Sequence, residues 1–412
     1  MYKAFLKIKS FIHKNFICGL KSKNKMRKNV FVLYLFSFFI RMNFSLPIEL
    51  LFFVSLSGSY TKAMSVIFVA HMTSTCLGVP LGLLSDKIGR KKVAVLCSFF
   101  RLSSFIIYAL APCYEFLILG ALCSGFYRFS SVNAETLLYE SLASMRLKNK
   151  YHKAISKLKS VSSFSLGLGA VLSGLFYYFL SLRGVVIITI LPMFGAFFLS
   201  FLLKEAPFHK ETKNNPFKHF FKALVYFKKN KRLFSFTLAD SLHYGLNESS
   251  FTINAAFFKT IMPVEFLGVL RFAGYMLSSV TSFLSAKIAG FIGINNTIFF
   301  AAVMDNIVNI FSVLLANIFS PILKTFGSGF FGIYSPATGA FIQKEVSDEE
   351  RATLVSFASL LNSGFFALGT LLMGFLADLY SPWTAMLIGY SSALLINFLF
   401  LIAFKQKGKG SF

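Results

Sequence analysis

The sequence predicts an all-α polytopic membrane protein, with about twelve transmembrane helices in two pseudo-symmetric six-helix bundles. Three observations predict it: more apolar surface than a water-soluble core can hide, positive charge gathered in alternate loops, and a repeat relating the two halves of the chain.

Of 412 residues, 56% are hydrophobic, 14% are charged and 54 are Phe; the mean hydropathy is +0.67. A soluble domain carries nearer a quarter of its residues as charge, so lipid must cover part of this surface. A spanning helix needs roughly 20 apolar residues. Stretches of that kind follow one another at 30–54, 62–85, 93–111, 115–139, 159–180, 184–203, 233–257, 264–285, 296–317, 321–343, 353–377 and 382–404.

The formal charge is +26, and its distribution argues against a nucleic-acid partner. Basic residues gather in the 1–28 tail, Lys87 to Lys92, Arg146 to Lys159, Lys204 to Arg232, and the tail with Lys405, Lys407 and Lys409. The alternate loops are expected to hold little beyond Lys62, Arg183, Lys259 and Lys324. Such asymmetry follows the positive-inside rule, which puts both termini in the cytoplasm of a multi-pass protein of the cytoplasmic (inner) membrane. The positive charge then meets anionic headgroups of the lipid bilayer. The basic 1–28 tail has no long apolar core and no small-residue cleavage site, so it reads as a retained cytoplasmic tail. The five cysteines form no CxxC pair, and no Cys/His cluster suggests a metal.

The halves align at a near-constant offset. Ser85-Asp86-Lys87-Ile88-Gly89 meets Ser285-Ala286-Lys287-Ile288-Ala289, and Leu168-Gly169 with Leu172 and Gly174 meets Leu368-Gly369 with Leu372 and Gly374. Ser124-Gly125-Phe126 meets Ser328-Gly329-Phe330 at a slightly larger offset. Ordered matches of this sort imply parallel structural repeats with a seam between them. The expected organisation is a tail (1–28), an N-terminal bundle (29–203), a linker (204–232), a C-terminal bundle (233–404) and a tail (405–412). Within the linker, Phe217 to Phe227 is amphipathic and is expected on the membrane interface.

The loop after the second span reads Gly82-Leu83-Leu84-Ser85-Asp86-Lys87-Ile88-Gly89-Arg90-Lys91-Lys92. It resembles the G-x-L-x-D-[RK]-x-G-R-[RK] signature of the major facilitator superfamily at every fixed position and in the expected place. The resemblance implies a conformational latch built on Gly82, Asp86, Gly89, Arg90 and Lys91. Gly89 would allow the tight turn, Asp86 would face a helix end of the other bundle, and Arg90 would pair with Glu140 or Glu135. Ala134 to Leu142 resembles the fourth-span ending ADEALLYDSL of a bacterial branch. Glu345 through Ser356, with Gly374 and Ala377-Asp378, resembles the span ten-to-eleven region of that branch. Gly169 to Gly174 stands where antiporters carry G-P-x-x-G-G, without the Pro and with Ser for one Gly, so the direction of transport is left open.

By the same resemblance, spans one, four, seven and ten line a central cavity. A charge in a spanning helix is costly and should face that cavity or a partner. Arg41 lies about 18 Å along span one at 1.5 Å per residue, on one face with Ser37 and Ser45, with Glu49 further on. Arg128 and Glu135 share a face of span four with Ser124 and Ser131. Span seven carries a polar stripe of Asp240, His243, Tyr244, Asn247 and Asn254, flanked by Glu248. Span eight adds Arg271 and Tyr275, and span ten adds Tyr334. The functional reading takes Asp240, Glu135 and His243 as proton carriers, and Arg41, Arg128, Tyr244, Asn247, Glu248, Arg271, Tyr275 and Tyr334 as lining a substrate cavity. The competing reading makes them internal ion pairs, Arg41–Asp240 for example. Arg101 and Asp305 read as structural, and His71 as a satisfied buried histidine.

No P-loop, H-E-x-x-H or catalytic constellation is present, so neither ATP hydrolysis in this chain nor another enzyme activity is expected. The resemblance implies a secondary transporter of a small solute, without a cofactor and driven by a proton gradient; the several arginines in the spans point to an anionic or zwitterionic solute, and a monomer is expected. The alternative is a transporter-like receptor that binds a solute without moving it.

Overall fold

The computed structural model describes residues 26–205, 230–346 and 351–406; residues 1–25 of the basic tail, the amphipathic linker stretch and residues 407–412 lie outside the described residues, and residues 26–28 begin the first helix. Among the described residues there is helix and no strand. The first span is α1 (26–41) followed, after an irregular Met42–Ile48, by α2 (Glu49–Ser57). Then come α3 (Tyr60–Ile88), α4 (Arg90–Leu110), the broken pair α5 (Tyr114–Ser124) and α6 (Tyr127–Ser144), α7 (Tyr151–Phe179) and α8 (Leu182–Leu202). The second half runs α9 (Lys231–Phe258), α10 (Phe266–Ile292), α11 (Ile294–Leu315), α12 (Ser320–Glu345), α13 (Arg351–Leu379), and α14 (Pro382–Ile396) continued by α15 (Phe398–Lys405). These are the twelve expected rods, with spans one, four and twelve interrupted where the sequence reading took them as continuous.

Local chemistry sets the boundaries. Ser59, Ser181 and Ser381 cap α3, α8 and α14, each accepting the amide of the residue three places on. The break in span one is an Asx turn: Asn43 Oδ1 accepts from the Ser45 amide at 3.0 Å and the Ser45 hydroxyl at 2.8 Å. Pro47 follows and has no N–H to continue a helix. Ser45 therefore does not extend the Ser37–Arg41 face as a helical spacing would require.

The rods divide by apolarity. Among the described residues, α4, α7, α8, α10, α11, α13 and α14–α15 each contain an 18-residue stretch apolar enough to cross a membrane alone, and α3 joins them when its pieces on either side of Pro80 are counted together. Spans one, four, seven and ten do not. Side chains such as Phe283 (84% exposed) and Phe291 (79%) point outward, as a lipid-facing surface demands.

The halves meet chiefly along two pairs, α3 with α13 and α7 with α10. The repeat exchanges these pairs, since it maps span two on eight and span five on eleven. On the face where α3 begins (the far face, opposite Gly89) the contact is tight. A methyl on Gly174 would sink into the carbonyl of Glu265, and one on Gly268 into the carbonyl of Ala170, so only glycine lets α7 and α10 cross this closely. Beside them the Asp378 carboxylate, from α13, accepts from the Ser59 hydroxyl (2.5 Å) and from the backbone amides of Tyr60 (2.7 Å) and Thr61 (2.8 Å). A carboxylate of one half thus caps the helix N-terminus of the other, where orphan N–H groups and the helix dipole favour negative charge.

A lost N-cap costs about 1 kcal/mol, or roughly fivefold in a two-state population. Asp378→Ala is therefore expected to open the far face. In a background with the native cysteines replaced, a cysteine at Thr325 in the seam should react several-fold faster with an impermeant maleimide added from that face. An unchanged rate would show that the cap does not hold the face shut.

Candidate functional site

The seam encloses a cavity of about 340 Å³ lined from both halves. The N-terminal half contributes Glu49, His71, Arg101 and Tyr127, and the C-terminal half Tyr244, Glu248, Phe251, Arg271, Tyr275 and Lys324. The four rods that fail the apolarity test all reach this lining, through Asn43 to Phe53, Ser124 and Tyr127, Tyr244 to Phe258, and Pro321 to Ser328.

Arg271 ties the halves together. Its Nη1 donates to the Leu46 carbonyl at 2.9 Å, an acceptor freed by the break in span one, and its Nε donates to the Tyr275 hydroxyl at 3.1 Å. Arg101 donates through Nη1 to Ser124 Oγ at 2.8 Å, lies 4.2 Å from the Tyr127 ring centre, and keeps a buried Nε with no hydrogen-bond partner. Glu49, the first residue of α2, lies in the field of both guanidinium groups. Lys324 is 7% exposed and donates to Asn309 Oδ1 at 2.8 Å. The Phe251 ring is shared by Arg271 (4.9 Å) and Lys324 (5.3 Å), as Tyr127 is by Arg101 and Arg41 (5.6 Å).

Two expectations are corrected here. Lys324 is a buried residue of α12, not a loop lysine. Arg101 lines the seam and does not stand apart as a peripheral structural residue. No periodicity within one helix carried either signal. The informative feature was the lone cation in each otherwise apolar stretch.

Of the residues singled out from sequence, Tyr244, Glu248, Arg271 and Tyr275 meet in the cavity. Arg41 and Glu135 do not reach it: they line a separate cavity of about 350 Å³ within the N-terminal half, where Arg41 donates to Ser131 Oγ (3.0 Å) and Glu135 lies 3.9 Å from Lys159. The Arg128 side chain lies outside the described ones. Asp240, His243, Asn247 and Tyr334 form a seam inside the C-terminal half. The Tyr334 hydroxyl donates to Asp240 Oδ1 at 2.5 Å, His243 packs 4.8 Å from the Tyr334 ring, and Asn247 donates to the His243 carbonyl at 3.1 Å. The Arg41–Asp240 pair is therefore not formed.

The loop motif is an organised knot. Arg90 donates to Asp86 (2.8 Å), Glu140 (3.1 Å) and Ser85 Oγ (3.1 Å), choosing Glu140 over Glu135. Gly82 sits on α3 facing Phe129, one helical turn before Asp86. Gly89 turns the chain with φ +102°. Sequence reasoning missed the group it turns toward: Glu205 accepts from the amides of Arg90 (2.7 Å) and Lys91 (2.8 Å), capping α4. The one clue was an acid within a basic linker.

Glu205→Ala should remove a cap worth about 1 kcal/mol. Arg90→Gln breaks charge-assisted bonds to two carboxylates and should cost more. Melting of the detergent-solubilised variants gives the order; equal or reversed losses would contradict this account of the knot.

In fold the chain is similar to a mutant of the nucleoside transporter NupG (TM-score 0.77, 16% identity, covering 93% of this chain and 100% of that one). It is also similar to a bacterial homologue of the human lysosomal transporter Spinster, in an inward-facing and unoccupied conformation (TM-score 0.71, 14% identity, covering 93% and 95%). No curated protein matches the chain by sequence. The family model described as Major Facilitator Superfamily matches residues 30–327, well over half the chain. The chain belongs to the major facilitator superfamily.

Proposed function

We propose that the protein is a proton-coupled secondary transporter that moves a small zwitterionic or anionic solute by alternating access through the seam cavity. The observation that carries this reading is the cavity itself, lined from both halves by cations (Arg101, Arg271, Lys324) and carboxylates (Glu49, Glu248). A volume of about 340 Å³ falls at the small end of the range for small-molecule sites. Groups of both signs suit a solute carrying both, and Tyr127, Tyr244, Phe251 and Tyr275 offer rings for its apolar part. The loop charge pattern supports the cytoplasmic membrane, with both termini in the cytoplasm and the far face external. The protein is expected to act as a monomer.

Proteoliposomes with a trapped pH dye test this, with amino acids, carboxylates and nucleosides added one class at a time. One class should move protons, and Arg101→Gln or Arg271→Gln should weaken that response at least about tenfold, as loss of a buried charged hydrogen-bonding group does. Tracer flux without proton movement would replace proton coupling by uniport or another ion. Absence of flux across the panel would favour a receptor that binds without translocating.

A further inference from the structure

Transport driven by protons needs a carboxylate whose charge is felt in the cavity, and this inference rests on the transport reading above. The two acids taken from sequence as proton carriers fit poorly. Asp240 is hydrogen-bonded to Tyr334 and does not line the cavity, and Glu135 belongs to the separate cavity of the N-terminal half. A different buried acid does connect to the seam. Asp305, on α11 and 5% exposed, accepts from Asn309 Nδ2 at 2.9 Å; the Oδ1 of the same amide accepts from Lys324 Nζ at 2.8 Å; and Lys324 lines the cavity.

We propose that Asp305 is the proton-binding carboxylate of the transport cycle, and that Asn309 and Lys324 pass its charge state to the solute site. The groups acting on Asp305 are Lys324 and Tyr334 of α12, Glu248 of α9, Tyr390 of α14 and its own-helix neighbour Asn309. With Asp305 ionised, the Lys324 ammonium is drawn back toward Asn309 and its charge is matched. A proton from water on the accessible side adds to a carboxylate oxygen and makes it a neutral acid. The Lys324 ammonium, no longer matched by Asp305, is then available to an anionic group of the solute. Loss of the proton on the other side restores the Asp305 charge and expels that group. The predicted coupling is one proton with one solute anionic group, moving in the same direction.

The test needs no solute. Full-length protein in lipid nanodiscs is examined by infrared difference spectroscopy as the pH is lowered from about 8 to about 5. The emission of Trp383 is followed alongside; it is the single tryptophan, and its Nε1 donates to the Val313 carbonyl of α11, the helix that carries Asp305. The wild type should gain a protonated-carboxyl band with a concurrent change in emission. Both should vanish in Asp305→Asn, return at a displaced midpoint in Asp305→Glu, and survive in Asp240→Asn. Lys324→Gln should displace the midpoint by about one pH unit or more, as loss of a neighbouring charge does. A band that persists in Asp305→Asn and is not displaced in Asp305→Glu overturns the proposal. Because Asp305→Glu keeps a titratable group, misfolding of Asp305→Asn cannot decide the matter. Proton-driven flux unaffected by Asp305→Asn would sink this inference while leaving the transport reading intact. A titrating Asp305 in a protein that moves no solute would do the reverse.

Discussion

Charge in hydrocarbon costs several kcal/mol unless water or a partner meets it, and the arrangement of the rods follows from that cost. Rods that are apolar along a full membrane thickness can face lipid over most of their surface and turn a lone charge, such as Arg101 or Asp305, inward. Spans one, four, seven and ten cannot, because they are broken into short pieces or carry Glu49, Arg41, Glu135, Asp240, Glu248 and Lys324. They are driven to the inside of their halves, and when the halves meet, these rods face one another across a wet seam. The cavity is what remains when four imperfect membrane helices turn their polar faces toward the seam.

The same economy governs the helix ends. A helix N-terminus offers unbonded amides and partial positive charge, and two carboxylates exploit it on opposite faces. Glu205, just past the end of α8, caps α4 of the same half, so this contact does not cross the seam. Asp378 caps α3 across the seam, so under the proposed alternating access it would have to let go for the far face to open. Its three hydrogen bonds are short, yet exposed at the membrane edge where water can replace them. A latch of that kind would add stability to the closed form without locking it, as the proposed cycle calls for.

Much of this was legible in the sequence. Hydropathy gave twelve rods because burial in lipid is summed over many residues, and the loop motif's resemblance narrowed the partner of Arg90 to Glu140 or Glu135, of which the fold brings Glu140 into contact. The breaks at Met42–Ile48 and Gly125–Phe126 were not legible, since a hydropathy window averages over a short irregular segment flanked by apolar turns. The cavity membership of Arg101 and Lys324 was hidden for another reason. Which face of a rod meets the seam is set by its packing against neighbouring rods, and a single helix does not encode that direction. The span-seven stripe illustrates this: its polarity was real, but Asp240 and His243 are turned toward Tyr334 inside their own half, while Tyr244 and Glu248 reach the cavity.

That division bears on how an ion gradient could act on a solute. Three cations line the seam, Arg101, Arg271 and Lys324, and three acids bear on them: Glu49 and Glu248 in the cavity and Asp305 behind Lys324. The set is neutral only while Asp305 is ionised. Unit charges separated by an intervening hydrogen-bonded group, at an effective dielectric of about 20, interact by on the order of 2 kcal/mol. Neutralising Asp305 would therefore strengthen the cavity's hold on an anionic group by roughly thirtyfold. Protonation of Asp240 would instead exchange one hydrogen-bonding form for another beside Tyr334, inside the C-terminal half. On electrostatic grounds, a proton changes solute affinity most where its carboxylate is the partner of a cavity cation, and among the buried aspartates of the C-terminal half that condition is met at Asp305.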